Sequence, residues 1–282
     1  MKILTAKRLN TLYETLTRRQ YVHPDPLEFL YDYEALRDRE IVGLTASSLA
    51  YGRVAQILKS VRTVLDVMGS EPGAFLEETS FKSLKIHFKG FKHRFADGDH
   101  VAAMLAGARA VIQEYGSLHE CFVSGMKKQD PNLLPALAHF CGHLAQTGTP
   151  GHLIPLPNRG SACKRMNLYL RWMVRKDAVD PGGWEGISPA RLIIPLDVHI
   201  HRLSTQLGLT QRKPADIRTA LEITSGFARF NPDDPVRCDF ALSRIGIRKD
   251  IALADFFPED ENCCDPEPSM PCRTDIPVYP AI

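Results

Sequence analysis

Apolar residues return at three- and four-residue intervals in block after block between Thr5 and Arg248. That spacing lines one face of an α-helix, whereas a half-buried strand would alternate. Leu9, Leu12, Tyr13 and Leu16 form the first block, and Ile41, Leu44, Thr45, Ser48 and Leu49 a second that breaks near Tyr51-Gly52. Val54, Ile57, Leu58, Val61 and Leu65 carry another, as do Met104, Leu105, Ala108, Ile112 and Tyr115. Leu134, Leu137, Ala138, Cys141 and Leu144 follow, then Met166, Tyr169, Leu170, Met173 and Val174. Helix-start signals stand ahead of these blocks: Asp25-Pro26, Asp38, Asp99, the Ser117–Glu120 capping box, Asp130-Pro131, Pro214 and Asp233-Asp234-Pro235. The expected fold is all-α, a compact bundle or barrel of helices joined by short loops.

Charge is unevenly placed along this frame. The net value of +2 hides a body, residues 1–250, with 34 bases against 26 acids. Residues 251–282 have seven acids, one base and all six of the prolines that follow Arg248, which predicts a disordered acidic tail. A basic body suits a polyanionic partner without demanding one. Its densest part is Phe81 to Phe95, where Lys82, Lys85, Lys89, Lys92 and Arg94 alternate with Phe81, Phe88, Phe91 and Phe95 and no acid intervenes. Cations attract phosphates and rings stack on exposed bases, so Lys89, Lys92 and Arg94 are candidate DNA-binding residues. The competing reading is a partly buried amphipathic segment with its lysines in water.

No apolar run approaches the ~20 residues that span a bilayer, and Met1 to Arg8 lacks a signal-peptide core, so no membrane association is expected and the expected location is cytoplasmic. Seven cysteines, at 121, 141, 163, 238, 263, 264 and 272, do not form a disulfide pattern. His199 and His201 lie two apart on an expected helix and would face different directions, so no metal site and no cofactor are expected. Without a Gly-Lys-Ser/Thr phosphate loop or a Gly-X-Ser-X-Gly elbow, nucleotide hydrolysis, dinucleotide binding and serine-esterase chemistry are not expected either.

One stretch carries a sharper signal. After an extended apolar run, Leu192 to Leu196, comes Asp197, and the apolar spacing then turns helical through Val198, Leu203 and Leu207 to Gly208. Asp197 therefore reads as an N-cap, its carboxylate accepting first-turn amides at the positive end of the helix. Upstream, the Gly/Pro/Asn-rich run from Thr147 to Gly160 delivers Gly160-Ser161-Ala162-Cys163-Lys164 into a helix. Between the two, Asp177 to Ala190 reads as an inserted loop, with Trp184 either pinning it or stacking on a base.

Pro-Leu-Asp-Val-His-Ile-His-Arg-Leu, residues 195–203, resembles the catalytic-aspartate segment of the helix-hairpin-helix DNA glycosylase superfamily, to which endonuclease III and 8-oxoguanine glycosylase belong. The resemblance is good from about Arg159 to Arg248, where Pro235 to Ile247 is similar to the closing helix, weak before and absent after. It is greatest to an uncharacterised bacterial branch, so no particular base follows. It implies a two-lobed fold. A helical barrel lobe would span about 25–175, and a second lobe would combine 1–24 with 176–250, leaving 251–282 as the tail. Aligned on the family's catalytic lysine, the hairpin glycines fall at Gly160 and Ala162 and the nucleophile at Lys164. Aligned on Leu156-Pro157 instead, the lysine is displaced by two residues.

The resemblance implies catalysis by Lys164 and Asp197. It also implies damaged-DNA contacts at Gly160, Ser161, Ala162, Cys163, Arg165 and His199, with Arg53 placed against DNA by the Ser47–Arg53 helix break. The amine of Lys164 would attack C1′ of a flipped nucleotide, release the base and form a Schiff base, after which β-elimination would nick the strand. Cys238, Cys263, Cys264 and Cys272 lack the spacing of the iron–sulfur ladder in endonuclease III relatives. The alternatives are a nucleic-acid-binding protein of the same fold without catalysis, or an all-α adaptor whose basic segment meets an acidic protein. Oligomeric state is not set by any motif.

Overall fold

A computed structural model describes residues 4–248 and 250–258. The chain is predominantly helical. It begins with α1 (Ala6–Leu16), followed by 3-10 turns at Arg19–Tyr21 and Pro26–Asp32, then α2 (Leu36–Ser48), α3 (Val54–Met68), α4 (Pro72–Glu78) and α5 (Phe81–His87). Two short strands, β1 (Lys92–His93) and β2 (Ala96–Asp97), pair antiparallel, Lys92 opposite Asp97 and His93 opposite Ala96. Then come α6 (Gly98–Tyr115), α7 (Leu118–Ser124), α8 (Leu134–Leu144) and, after turns at Gly151–Leu153 and Pro157–Arg159, α9 (Lys164–Val174). The rest is α10 (Val198–Gln206), α11 (Ile217–Ala228), α12 (Asp239–Ile247) and a turn at Leu253–Asp255. Among the described residues no helix is long and apolar enough to cross a membrane.

The helices share one connected apolar core, and α2 runs through it. Every residue of α2 from Glu40 to Ser48 is buried, which marks a helix covered on all sides. It packs on α9, on the Pro26–Asp32 turn, on α3 and on α4. Gly43 permits the close approach to α9, since a Cβ there would stand 3.1 Å from the ring of Tyr169. At Gly107 a Cβ would meet the Leu144 carbonyl oxygen at 2.0 Å, so the α6–α8 crossing admits no side chain at that position.

Several caps fall where the spacing puts them. Asp25 accepts from Leu27 N and Ser117 from Glu120 N, while Thr5, which no start signal marked, accepts from Arg8 N. Others do not. Asp38 sits inside the first turn of α2, and its Oδ1 accepts from Gly73 N at 2.7 Å, joining α2 to α4. Asp97 caps α6 in place of Asp99, in a box with His100, because β2 ends there. Asn132, not Asp130, accepts from Leu134 N at the start of α8, and Asp216, two residues after Pro214, caps α11. No side chain caps α12, so Asp233 and Asp234 do not serve it.

The insertion between Asp177 and Ala190 is pinned from inside. Trp184 is buried and donates from Nε1 to Glu40 Oε1 at 2.7 Å, and the same carboxylate accepts from Leu118 N and His119 N. Burial pushes the pKa of Glu40 up, against these donors. The expected tail divides: Leu253 and Phe257 are buried against the core, while residues 259–282, including Cys263, Cys264 and Cys272, lie outside the described residues.

Candidate functional site

α9 and α10 start on opposite sides of a cleft of about 340 Å³. Its other walls are the segment Pro24 to Pro26, the break between α2 and α3 at Ala50 to Gly52, and the length of α12. The run Leu192 to Leu196 is extended and buried but pairs with no strand; Ile194 N donates to Thr224 Oγ1 on α11. That anchored run delivers Asp197 to the cleft.

Asp197 caps α10 as its position predicts. Oδ1 accepts from His199 N and Ile200 N, both at 2.9 Å. Oδ2 faces Lys164 Nζ at 3.4 Å, and Nζ also donates to the Ala50 carbonyl at 3.4 Å. The lysine side chain is 32% exposed and the aspartate 23%, so the pair is half open to the cleft. An ammonium held by a carboxylate and a carbonyl, at the mouth of a cavity, has a ready acceptor for its proton and a direction in which to attack.

The segment leading into Lys164 departs from a tight hairpin. Residues 145–163 separate α8 from α9 and hold two 3-10 turns. Gly160 is left-handed, and its carbonyl accepts from Ile217 N at 3.3 Å while Ser161 bridges to Asp216. Cys163 is also left-handed (φ 46°), a conformation disfavoured for a residue with a Cβ. Ser161 is exposed, and its Oγ accepts from Cys163 N at 3.1 Å. Ala162 and Cys163 are buried, so contrary to expectation their side chains do not reach a surface where DNA could lie; what they could offer is backbone. Burial pushes the Cys163 thiol up.

Arg165 needs the same correction. Its guanidinium turns inward, donates to the Ser48 and His152 carbonyls and lies 5.0 Å from the centre of the Tyr51 ring. Those contacts bind the helix break to α9. Tyr51 in turn donates to the His93 carbonyl at 2.9 Å and meets His152 Nε2 at 2.8 Å, and burial lowers the pKa of both histidines.

The basic–aromatic segment splits between inside and outside. Phe88 and His93 are buried, which follows from the β-hairpin that periodicity did not reveal. Lys89, Lys92, Arg94 and Phe95 remain exposed, Phe95 at 71%. Arg94, left-handed at the tip, rests against Gly52, where a Cβ would meet its Cδ at 2.9 Å, and stacks 5.3 Å from the Phe95 ring. The hairpin therefore reaches the cleft rim. Arg53 is exposed beside it at the start of α3, and His199 lines the opposite side. Val198, 75% exposed, and Ile247 extend that rim with apolar surface.

Below the rim lie charges that no spacing argument singled out. Asp239, on α12, binds Arg171 of α9 at 2.5 Å, and Arg171 also meets the buried Asp180 at 3.1 Å. Arg175 binds Asp177, Asp180 and Asp234, and Arg244 binds Asp25 at 2.6 Å. Arg171 and Arg175, four apart on the buried face of α9, are the trace such a network leaves in sequence. Among the described residues no three His, Cys, Asp or Glu side chains group so as to hold a metal ion.

Fold and site together define a predominantly helical protein with a Lys–Asp pair at the mouth of a charged cleft. Residues 25–248 match the family described as "Protein of unknown function (DUF2400)", and the chain belongs to it. Comparison with curated proteins and with solved structures finds no match.

Proposed function

We propose that the cleft is the active site of a DNA base-excision glycosylase with Schiff-base lyase activity. The observation that carries the reading is the Lys164–Asp197 contact, two residues 33 positions apart meeting at 3.4 Å in a cavity. The volume falls in the range of small-molecule sites. Arg53 and Arg94 supply exposed positive charge beside the cleft, and Lys89 and Lys92 add more on the segment that carries Arg94, suited to phosphates flanking an extruded nucleotide.

In this mechanism Asp197 takes a proton from the Lys164 ammonium, and the free amine attacks C1′. The N-glycosidic bond breaks and the base leaves with its electron pair, taking the proton that the newly bonded, positively charged Lys164 nitrogen sheds. Opening of the C1′–O4′ bond, with the Asp197 proton passing to O4′, yields the protonated imine. Loss of a C2′ proton then expels the 3′ phosphate. Asp197, fixed in place by two amides, thus relays the proton between the amine and O4′.

The buried Ala162 and Cys163 and the inward-turned Arg165 favour a second reading, in which the protein binds nucleic acid through the β-hairpin and does not cut it. Strand scission on duplexes carrying oxidised, deaminated or abasic residues separates the two. Scission lost in Lys164→Ala and Asp197→Asn supports the lyase; salt-sensitive binding unchanged in Lys164→Ala, with no scission, supports the binding protein. Neither binding nor scission leaves the adaptor reading.

A further inference from the structure

Asp239 lies on the cleft floor with half of its carboxylate unused. Its side chain is 2% exposed, and Oδ2 is taken by Arg171 Nη1 at 2.5 Å. Oδ1 is buried and has no hydrogen-bond partner among the described residues. Polar atoms this deep are nearly always paired, and an unpaired oxygen on a charged group costs more than a neutral one. Asp239 lines the same cavity as Lys164 and Asp197, and it stands near enough to Asp197 for that charge to act on it. Arg171 faces Asp239 Oδ2 through Nη1 and Asp180 through Nε and Nη2, and none of these contacts reaches Oδ1. The missing partner must be a donor, and the cleft that Asp239 lines is the open side from which one can approach.

Resting on the glycosylase reading of this cleft, we propose that Asp239 determines base specificity: the site takes a nucleobase that presents an N–H group, amino or ring, to Asp239 Oδ1. A base lacking that donor leaves the carboxylate oxygen buried and unpaired. Sites built to hydrogen-bond a substrate reject analogues without the group far better than apolar pockets reject extra bulk.

The test uses the full chain and duplexes whose target nucleotide has a 2′-fluoroarabino sugar, which resists base release, opposite a tetrahydrofuran site. Adenine is compared with purine, and cytosine with 2-pyrimidinone, each pair differing by one amino group. A hydrogen bond to a charged acceptor corresponds to a preference of roughly 10- to 100-fold in Kd for at least one amino-bearing base. In Asp239→Asn, Arg171 keeps the amide oxygen and the NH2 faces the cleft, so that preference falls to about one; thermal unfolding checks that the variant is folded.

Equal affinities within both pairs for the wild-type protein overturn the proposal, whatever the variant does. A preference that persists in a folded Asp239→Asn protein overturns it as well, as does failure to bind any of the duplexes. Borohydride trapping of the wild-type protein on an abasic duplex, which has no base for Asp239 to read, judges the lyase reading separately. An adduct there with equal affinities above means that the chemistry stands and the specificity assignment fails.

Discussion

α9 makes two kinds of ion pair, and they differ in what surrounds them. At its N-terminus Lys164 meets Asp197 at 3.4 Å with both side chains partly in solvent. Two turns further on, Arg171 and Arg175 are all but sealed from water among Asp177, Asp180, Asp234 and Asp239. Burial pushes Asp180 and Asp239 up, while the same carboxylates raise both arginines. The inner group is structural cement linking α9 to the insertion and to α12. The outer pair costs little to separate and is therefore available to a ligand.

If that contrast is right, the largest stability effect belongs to the inner group. Asp180→Ala removes the buried carboxylate shared by two guanidinium groups and is expected to cost roughly 3–5 kcal/mol in denaturant unfolding. Lys164→Ala, at the open pair, is expected to change stability by less than about 1 kcal/mol while abolishing strand scission. A Lys164→Ala cost approaching that of Asp180→Ala would erase the distinction.

A smaller effect concerns pH. Burial raises Asp239 from the ordinary carboxyl value to about 6, against the pull of Arg171. A raised carboxyl pKa favours the folded state fully below the unfolded value of about 4, and the contribution is lost as pH rises through about 6. Thermal midpoints between pH 4 and 7 should thus show Asp239→Asn gaining on the wild-type protein as pH rises. Parallel profiles would mean that the carboxylate is not desolvated as described. The least effect on the fold is expected from Arg94→Ala at the rim. Stability should be unchanged, DNA binding a few-fold weaker at low salt, and the salt dependence reduced by about one ion.

What could be read in the sequence follows the distance over which each interaction acts. Asp197 capping α10 was legible because its carboxylate reaches amides two and three residues ahead. Asp38 and Asp99 misled because position before an apolar block does not reveal competition: Gly73 N claims Asp38, and Asp97 with His100 forms the cap beside Asp99. The β-hairpin has strands of two residues, too short for an alternating pattern. In the site, Lys164 and Asp197 could be singled out through motif resemblance. The Arg171–Asp239 contact joins residues 68 apart, with no local signal beyond an acid at the start of α12. The inward turn of Arg165 was equally hidden, since its partners are the carbonyls of Ser48 and His152.

The proposed function stands or falls with the Lys164 amine as the nucleophile. It is tested most directly by borohydride reduction of the protein on an abasic duplex, followed by digestion and mass spectrometry of the adduct. A single modified peptide is expected, with the sugar remnant on Lys164, and much less of it from Asp197→Asn. An adduct on another lysine or at the N-terminal amine, or none at all, would contradict it.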